Sequence, residues 1–361
     1  MWTFHNPVSI HAGAGALARL PDILYTRRAI VIAFPEAESL GLIDRLRTLL
    51  GSSMVTVETD VPSNPDVAWL APMYERLWRR HPDAECVIAL GGGSAIDCAK
   101  AMLTRGATGR FDDLLMRPDL ASALKREHHR ALIAVPTTAG TGSEVTPWAT
   151  VWDQARATKH SLHLPWTWPE AAIVDAELML SLPPSVTLAS GLDALSHALE
   201  SLWNVNRNPV SAALAVSAAR AIVHTLPELL AQPSRRELRE RMAVAALQAG
   251  VAFSNTRTAL AHSLSYDITL AEGVPHGIAC SFSLPRVMEL ALGRDAEVDA
   301  QLLSIFDATH AGSAVARLTA FLEGLGVSTD PARYGIAPEQ WSQRIEQALR
   351  GARGRNFIAA H

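Results

Sequence analysis

The pattern of apolar residues changes about halfway along the chain. Up to about residue 176, short apolar runs rich in β-branched residues alternate with helical stretches, and the runs lie at residues 29–33, 54–57, 86–90, 131–135 and 172–175. Runs that are apolar throughout are typical of parallel strands that helices cover on both faces. The first half of the chain is therefore predicted to be an α/β domain with a parallel sheet.

The second half has a different spacing of apolar residues. Beyond Pro183 and Pro184 the strand pattern ends, and segments rich in Ala and Leu, with apolar residues spaced at about 3.6 residues, continue to the end of the sequence. This spacing predicts helices, for example at residues 192–203, 209–230, 235–253 and 313–323. We expect two domains, an α/β domain at residues 1–178 and an all-α domain at residues 179–361.

Composition narrows the class of protein. The chain has 361 residues, 48% of them apolar and 19% charged, and its formal net charge is −4. These values exclude a disordered regulator, and the charge is too balanced to neutralise a row of nucleic-acid phosphates or to hold the chain on an anionic membrane. We therefore expect a small-molecule partner, with no nucleic acid and no membrane.

The cysteines and the N-terminus bear on localisation. Cys86, Cys98 and Cys280 are far apart and do not describe a disulfide framework. The N-terminus lacks the basic start and apolar run of a signal peptide, and no uninterrupted apolar run reaches about 18 residues. Both observations favour a cytoplasmic protein.

A glycine-rich turn is the first segment that carries chemistry. Gly-Gly-Gly-Ser at residues 91–94 follows an apolar run and precedes a helical stretch. Three glycines let backbone N–H groups approach a phosphate closely, and a helix N-terminus adds partial positive charge. We expect Ser94 to cap that helix, so that the turn suits a pyrophosphate. A tight turn between strand and helix, without a ligand, remains the alternative.

A second loop supports nucleotide binding. Residues 136–144, which include Thr137, Thr138 and Thr141, follow the next buried run directly. Because successive strands of a doubly wound sheet end at a common crevice, this loop should lie beside the glycine turn. Its hydroxyl groups are suited to ribose and phosphate. A polar surface loop is the alternative.

Four residues of the helical half suggest a metal site. Asp193 and His197 are four residues apart, which places a carboxylate and an imidazole on one face of a helix. His262 and His276 follow in otherwise apolar surroundings. One Asp and three His form a plausible ligand set for iron, zinc or a similar divalent ion. Hydrogen-bonded core histidines would explain the same pattern.

Five ordered segments together resemble the iron-containing (group III) alcohol dehydrogenase family. They are Gly-Gly-Gly-Ser-Ala-Ile-Asp at residues 91–97, the segment 136–144, Gly-Leu-Asp-Ala-Leu-Ser-His at 191–197, His262 after Ala-Phe-Ser-Asn at 252–255, and Pro-His-Gly at 275–277. The resemblance runs from Asn6 to about residue 290. It implies a dinucleotide-binding domain facing a helical domain with a divalent metal across a cleft, usually Fe²⁺ and sometimes Zn²⁺.

The resemblance also implies roles for individual residues. It implies a homodimer, NAD(P)H as cofactor, and Lys159 on the nicotinamide side. The implied metal ligands are Asp193, His197, His262 and His276. The expected cofactor-binding residues are Gly91, Gly92, Gly93, Ser94, Asp97, Thr137, Thr138 and Thr141.

The sequence departs from the family pattern at two points. Tyr266 stands where many members have a histidine associated with proton transfer, so we place Tyr266 among the catalytic candidates. The first long apolar run ends in Phe34-Pro35-Glu36, where members often have an aspartate that favours NAD. We therefore expect NADPH to be used at least as well as NADH, and the alternative is that Glu36 turns inward and restores a preference for NAD.

Arg257 is a candidate substrate-binding residue. It lies five residues before His262, where relatives often carry a small residue, and a guanidinium there can hold an anionic group bidentately. A surface pair with Asp267 or Glu272 is the alternative. Other candidate lining residues are Asn255 and Trp148, with His160, His163, Trp166 and Trp168 from what we expect to be loops after Glu144.

Within the family, the chain most resembles members assigned as phosphonoacetaldehyde reductases. The implied reaction is metal-dependent reduction of a small aldehyde to a primary alcohol, with phosphonoacetaldehyde as the first candidate and aliphatic aldehydes or maleylacetate as alternatives. Two other classes of protein remain as alternatives, and the first of them has a similar two-domain plan. A cyclase resembling dehydroquinate synthase would need more basic residues around its substrate, and a non-catalytic nucleotide sensor would need no metal ligands.

Overall fold

A computed structural model describes residues 1–116, 129–156 and 158–360. Within those residues there is a six-stranded sheet and a separate two-stranded sheet. The strands are β1 (Ser9–Ala12), β2 (Ala29–Ala33), β3 (Met54–Glu58), β4 (Cys86–Gly91), β5 (Ala131–Pro136), β6 (Trp148–Asp153), β7 (Thr158–His163) and β8 (Ala171–Val174). The large sheet has the order β1-β8-β5-β4-β2-β3, and every neighbouring pair in it is parallel.

The helices before residue 180 belong to the same unit as the sheet. In the described residues they are α1 (Leu20–Leu24), α2 (Leu42–Leu50), α3 (Val67–Arg80), α4 (Gly93–Ala101) and α5 (Asp112–Met116). The second half forms α6 (Pro184–Leu202), α7 (Pro209–Ala231), α8 (Arg236–Thr256), α9 (Leu260–Glu272), α10 (His276–Ser281), α11 (Leu284–Ala291), α12 (Ala296–Ile305), α13 (Ala311–Gly324) and α14 (Pro338–Arg350).

The central strands are buried on both faces. In β2, Ile30 and Ile32 pack into an apolar cluster with residues of α3 and α4, whereas Val31 points the other way, into a cluster with residues of α1 and α2. Neighbouring residues of a strand point to opposite faces, so a strand covered on both sides must be apolar at every position. The predicted fold, a parallel α/β sheet followed by helices, is confirmed.

Residues 148–163 were predicted to lie in loops, and this prediction was wrong. Strands β6 and β7 pair antiparallel, from Trp148 opposite His163 to Asp153 opposite Thr158. Several residues of β7 are polar and its first residue is exposed, so it lacks the continuous apolar run that marks the central strands. The edge strand β1 pairs with β8, and because most of it is exposed it also lacks a continuous apolar run.

The chain forms two compact units. One contains Pro7–Thr138 and Ser143–Met179, and the other contains Met1–Asn6, Ala139–Gly142 and the chain from Leu180 onward. The domain boundary between residues 178 and 179 stays a prediction. Helix α7 is the one described helix long and apolar enough to cross a membrane, but it packs against α6 and α8. A single helix of this kind is weak evidence for a membrane span.

Candidate functional site

Helix α6 presents the first two candidate ligands. Asp193 and His197 are one helical turn apart, as their spacing predicts, and the Nε2 atom of His197 lies 3.9 Å from Oδ1 of Asp193. Both residues are buried. A carboxylate and an imidazole are thus held together inside the helical unit.

His262 on α9 and His276 at the start of α10 complete the cluster. Their Nε2 atoms lie 3.4 and 4.0 Å from Oδ1 of Asp193. Donors about 2.0–2.2 Å from a tetrahedral ion are roughly 3.3–3.6 Å apart, so a small contraction of the cluster would suit a divalent metal. Asp193 Oδ1 and His262 Nε2 are buried and have no hydrogen-bond partner among the described residues. A bound cation would satisfy both atoms, so the residues fit a metal site.

Gly277 explains how His276 reaches this cluster. A Cβ atom at residue 277 would overlap the carbonyl oxygen of Ala189 on α6. Only a residue without a side chain lets α10 approach α6 this closely. The glycine of the Pro-His-Gly segment therefore places the adjacent histidine against Asp193.

Glu200 holds His262 in orientation, and the sequence analysis missed it. Its carboxylate accepts hydrogen bonds from Nδ1 of His262 at 2.8 Å and from the backbone N–H groups of Ala259 and Ala261 at 2.8 and 2.5 Å. Glu200 is fully buried. A carboxylate on one imidazole nitrogen fixes the tautomer in which the other nitrogen can bind a metal. The helix position of Glu200, three residues after His197, was its only sequence signal.

Cys280 is a further member of the cluster that the sequence analysis did not single out. Its Sγ atom lies 3.6 Å from Nε2 of His276 on the preceding turn of α10. One ligand atom each from Asp193, His262, His276 and Cys280 fall within 4.8 Å of one another. The set of possible metal donors in the cluster is therefore larger than one Asp and three His.

The groups of the cluster have strongly shifted pKa values. Burial alone would raise the pKa of Asp193, but the imidazoles of His197, His262 and His276 hold that pKa well below its usual range. Burial lowers the pKa of His197 to about 4. Burial would raise the pKa of Cys280, yet His262 and His276 lower it to about 7. The Asp193 carboxylate thus favours positive charge at the centre of the cluster, and the imidazoles favour the thiolate form of Cys280.

Tyr266 lies against this cluster. Its ring stacks on that of His276, with centroids 5.7 Å apart and an angle of 15° between the planes. The guanidinium carbon of Arg353 lies 4.6 Å from the Tyr266 centroid. The Tyr266 ring therefore lies between the candidate ligand His276 and the Arg353 guanidinium. Arg353 was not a sequence candidate, because nothing in its local sequence connects it with residue 266.

The glycine turn and the start of the threonine-bearing loop lie side by side in the α/β unit. Strands β4 and β5 are paired up to Gly91 and Pro136, and Thr137 N–H donates to the Gly91 carbonyl at 3.0 Å. A Cβ atom on Gly92 would lie 3.1 Å from the Thr138 side chain. The glycine turn and the hydroxyl-bearing loop thus share one end of the sheet. Thr141 belongs to the helical unit.

The expected Ser94 cap is corrected by the structure. Helix α4 begins at Gly93, its N-cap is Gly92, and no side chain caps it. Ser94 already lies within the helix, and its hydroxyl accepts a hydrogen bond from Asn64 N–H at 3.2 Å. The N-terminus of α4 therefore keeps backbone N–H groups without a side-chain partner, as an anion site requires.

Asp97 makes polar contacts within its own unit. Its carboxylate accepts hydrogen bonds from the Ser143 hydroxyl at 2.6 Å and from Thr150 N–H at 2.8 Å. Lys100 donates to Ser143 and to the Trp148 carbonyl, and burial lowers its pKa to about 8. This network attaches α4 to the β6–β7 hairpin. The cofactor role of Asp97 stays a prediction, as does that of Lys159, whose ammonium lies 5.6 Å from the Trp152 ring.

Phe34 occupies the end of the first long strand. A Cβ atom on Gly91 would lie 3.5 Å from a ring carbon of Phe34, so the ring borders the glycine turn. Glu36 is exposed and lies in a short 3₁₀ helix. The position beside the turn therefore carries an apolar ring in place of a carboxylate.

The substrate candidates fall into both units. Arg257 follows α8 with a φ of 66°, its side chain is exposed, and it makes no ion pair with the residues described. Glu272 pairs with Arg344 at 3.3 Å, whereas the side chain of Asp267 lies outside the described residues. Asn255 accepts a hydrogen bond from His5 N–H at 2.8 Å.

The aromatic candidates belong to the α/β unit. The Trp148 ring lies 5.8 Å from that of His163 across the hairpin. His160 lies 3.6 Å from the Asp153 carboxylate, and Trp166 stacks on His129. Trp168 is half-buried. Their predicted part in a substrate pocket stays a prediction.

Comparison with known proteins decides the family. The family model for iron-containing alcohol dehydrogenase matches residues 7–176, and the model for the C-terminal part of Fe-containing alcohol dehydrogenases matches residues 187–360. The chain belongs to the iron-containing alcohol dehydrogenase family. The expected cofactors, a nicotinamide dinucleotide and iron or another divalent metal, are those of the family. The protein is therefore an oxidoreductase.

Relatives and solved structures agree with this assignment. The chain is 29% identical to the NAD-dependent methanol dehydrogenase of Bacillus methanolicus over 94% of its own length and 91% of that protein. It is 28% identical to the NADPH-dependent butanol dehydrogenase of Clostridium saccharobutylicum, over 96% and 90%. The crystal structure of sulfoacetaldehyde reductase from Bifidobacterium kashiwanohense with NAD⁺ is similar, with a TM-score of 0.90, 28% identity and coverage of 99% and 94%.

Proposed function

We propose that this iron-containing alcohol dehydrogenase reduces a small anionic aldehyde to a primary alcohol with NAD(P)H. The first candidate is phosphonoacetaldehyde, which would give 2-hydroxyethylphosphonate. One observation carries the proposal: the Arg353 guanidinium lies over Tyr266, whose ring stacks on the candidate ligand His276. A positive group thus lies a short distance from the expected reaction centre. The sulfoacetaldehyde reductase among the similar structures is named for a two-carbon aldehyde with an anionic tail.

The reaction needs an electrophile and a hydride. A divalent ion held by Asp193, His197, His262 and His276 would polarise the carbonyl, and the nicotinamide would supply the hydride. The chain supplies the surroundings. Glu200 orients His262, and Tyr266 carries a phenol beside the cluster that can hold the proton the alcohol oxygen needs.

Arg353 and Arg257 are the candidate anion-binding groups. Neither forms a salt bridge with the described residues, so neither charge is already neutralised by a carboxylate there. A guanidinium can bind a phosphonate, sulfonate or carboxylate through two parallel hydrogen bonds. Arg353 has the stronger support, because Tyr266 connects it with His276.

Steady-state kinetics on phosphonoacetaldehyde, sulfoacetaldehyde, propanal and maleylacetate test the proposal. We expect Arg353→Ala to lower kcat/KM for the anionic two-carbon aldehydes by on the order of 10², and to change propanal reduction little, because a lost charged hydrogen bond costs a few kcal/mol. Arg257→Ala shows whether the second arginine contributes. Arg350→Ala is the matched control, since Arg350 is exposed and pairs only with Glu346 in the described chain.

Other outcomes assign other functions. A wild-type preference for propanal would make the protein a general aliphatic alcohol dehydrogenase, and a preference for maleylacetate would make it a maleylacetate reductase. Equal losses on all substrates in Arg353→Ala would mean that this arginine is structural and that the proposed anion site is absent.

The same proposal includes the cofactor preference. Phe34 beside the glycine turn can neither hydrogen-bond the ribose 2′-hydroxyl of NADH nor repel the 2′-phosphate of NADPH. We expect kcat/KM for NADPH to equal or exceed that for NADH. A value for NADH more than about tenfold higher would contradict it.

Localisation and assembly are also proposals. Cys86, Cys98 and Cys280 are all free and buried, which agrees with a reducing cytoplasm. We propose a homodimer that uses the edge strand β1, where Ile10 is exposed. Light scattering at micromolar concentration should detect a dimer, and a species of only 39 kDa would refute it.

A further inference from the structure

Cys280 differs from the other two cysteines in its surroundings. Cys86 lies in β4 and Cys98 in α4, both within apolar clusters of the α/β unit. Cys280 is equally buried, but its neighbours include two imidazoles and a carboxylate. A small apolar residue would fill a gap in packing as well as a thiol does, whereas metal-binding side chains gathered around sulfur suggest chemistry.

The distances around Cys280 fit metal ligation. Its Sγ lies 3.6 Å from Nε2 of His276, and it falls with Asp193 and His262 in the group whose ligand atoms lie within 4.8 Å of one another. A zinc ion with sulfur at about 2.3 Å and nitrogen at about 2.0–2.1 Å separates these two atoms by roughly 3.5–3.6 Å in a tetrahedron. The sulfur–nitrogen edge is thus already the right length.

Two buried atoms supply an independent indication. Asp193 Oδ1 and His262 Nε2 have no hydrogen-bond partner in the described part of the chain, and each residue is at least nine-tenths buried. Asp193 and His262 belong to the same group of candidate ligands as Cys280. Burying such atoms without a partner costs free energy, which a cation between them and the sulfur would recover.

We propose that the Cys280 thiolate is a ligand of the metal ion, in addition to the residues that the family resemblance implies. When the metal–sulfur bond forms, the thiol gives its proton to solvent. The thiolate and the Asp193 carboxylate together then balance the two positive charges of the ion inside a buried site. The inference rests on the divalent metal of the proposed function and is independent of its substrate.

A sulfur ligand changes which metal the site prefers. Thiolates favour Zn²⁺ over harder ions, whereas carboxylate and imidazole donors accept Fe²⁺ and Zn²⁺ alike. We expect Cys280→Ser to lower the affinity for Zn²⁺ by at least about tenfold and the affinity for Fe²⁺ by less. Loss of a residue that only hydrogen-bonds to a metal ligand already costs about tenfold, so loss of a ligand should cost at least as much. The selectivity of the site would then move from zinc toward iron.

Cobalt substitution tests the ligand directly. The wild-type protein loaded with Co²⁺ should show a near-ultraviolet thiolate-to-cobalt charge-transfer band in addition to visible bands. Cys280→Ser should bind one Co²⁺ but lack the near-ultraviolet band. Cys98→Ser, which removes a buried thiol from the other unit, should retain it. A band that is absent from the wild type, or unchanged in Cys280→Ser, would overturn the proposal.

X-ray absorption on the zinc-loaded wild type needs no variant and covers the case in which Cys280→Ser fails to fold. We expect one sulfur neighbour at about 2.3 Å. A first shell of only nitrogen and oxygen would overturn the cysteine ligand and leave the proposed function intact. A wild-type chain that binds no divalent ion would overturn both.

Discussion

The candidate metal cluster and the predicted nucleotide loops would hold their ligands by different means. The cluster uses side chains from α6, α9 and α10, and each donor is a particular residue type. At the end of β4 and β5, the turn offers backbone N–H groups and the space left by glycines. A site built from side chains loses a ligand when one donor atom is removed. The site at the glycine turn, called the backbone site below, depends instead on the space that neighbouring residues leave beside its N–H groups.

This difference determines what a substitution can reveal. In the cluster, replacing one imidazole removes a ligand and leaves a gap. In the turn, adding a methyl group removes space and leaves every N–H group in the chain. The first kind of change should act on metal content and turnover, and the second on affinity for the cofactor.

Loss of His276 should have the largest effect. His276→Ala removes one of the three imidazoles around Asp193, and we expect kcat/KM to fall by about 10³ or more, because a Lewis-acidic ion supplies several kcal/mol to the transition state. Bound metal, measured by elemental analysis, should fall with it. His224→Ala is the control, since His224 is exposed on α7. Full activity of His276→Ala, or of metal-free enzyme, would remove His276 from the site.

Glu200→Gln should have an intermediate effect. The carboxylate accepts three backbone hydrogen bonds and one from the His262 ring, and an amide would turn an N–H group toward one of these donors. We expect metal affinity to fall by about 10- to 100-fold and the pH profile of kcat to shift, with partial rescue in Glu200→Asp. Glu289→Gln, at an exposed pair with Arg286, is the control. Unchanged metal affinity combined with a lower Tm would give Glu200 a structural role only.

Gly92→Ala tests the backbone site and should have a smaller effect. The new methyl group would lie 3.1 Å from Thr138, which is closer than ordinary contact, and the φ of −78° at Gly92 is open to alanine. We expect KM for NADPH to rise about tenfold, with metal content unchanged. Gly324→Ala is the matched control, because a Cβ there meets no atom within 4 Å. An unchanged KM would place the phosphates elsewhere.

What could be predicted from the sequence follows the same division. The strands at residues 29–33 and 131–136 can be recognised in the sequence because burial on both faces requires apolar residues at each position. The group of Asp193, His197, His262 and His276 could be proposed because its residue types are specific to metal chemistry. The structure brings these four together in one unit.

Other features could not be predicted because their partners are remote. Glu200 bonds with His262 across 62 residues, and no periodic pattern records such a pair. Arg353 meets Tyr266 only because the chain after α14 returns to α9. Ser94 was a reasonable cap by residue type, but the helix begins one residue before it, since Gly92 takes the N-cap position. Local preference fixes an element more firmly than its exact start.

The smallest expected effect concerns Glu144, at the end of the threonine-bearing loop. Glu144 is only 5% exposed, and burial raises the pKa of its carboxyl from the ordinary 4.5 to about 7, although Lys100 opposes the shift. Between these two pH values the folded chain retains a proton that the unfolded chain releases. Stability from this group is therefore complete below pH 4.5 and is lost as the pH rises to about 7.

Glu144→Gln removes that dependence, because an amide stays neutral. Urea unfolding from pH 4.5 to 7.5 should find the variant and the wild type similar at the acid end, with the variant more stable by about 1 to 3 kcal/mol near pH 7, the upper value being the limit set by the full pKa change. Glu75→Gln, at an exposed carboxyl on α3, should follow the wild type throughout. If Glu144→Gln is instead less stable at pH 7, Glu144 is ionised there and its charge is balanced by Lys100. The ion pair would then help to stabilise the structure around the glycine turn.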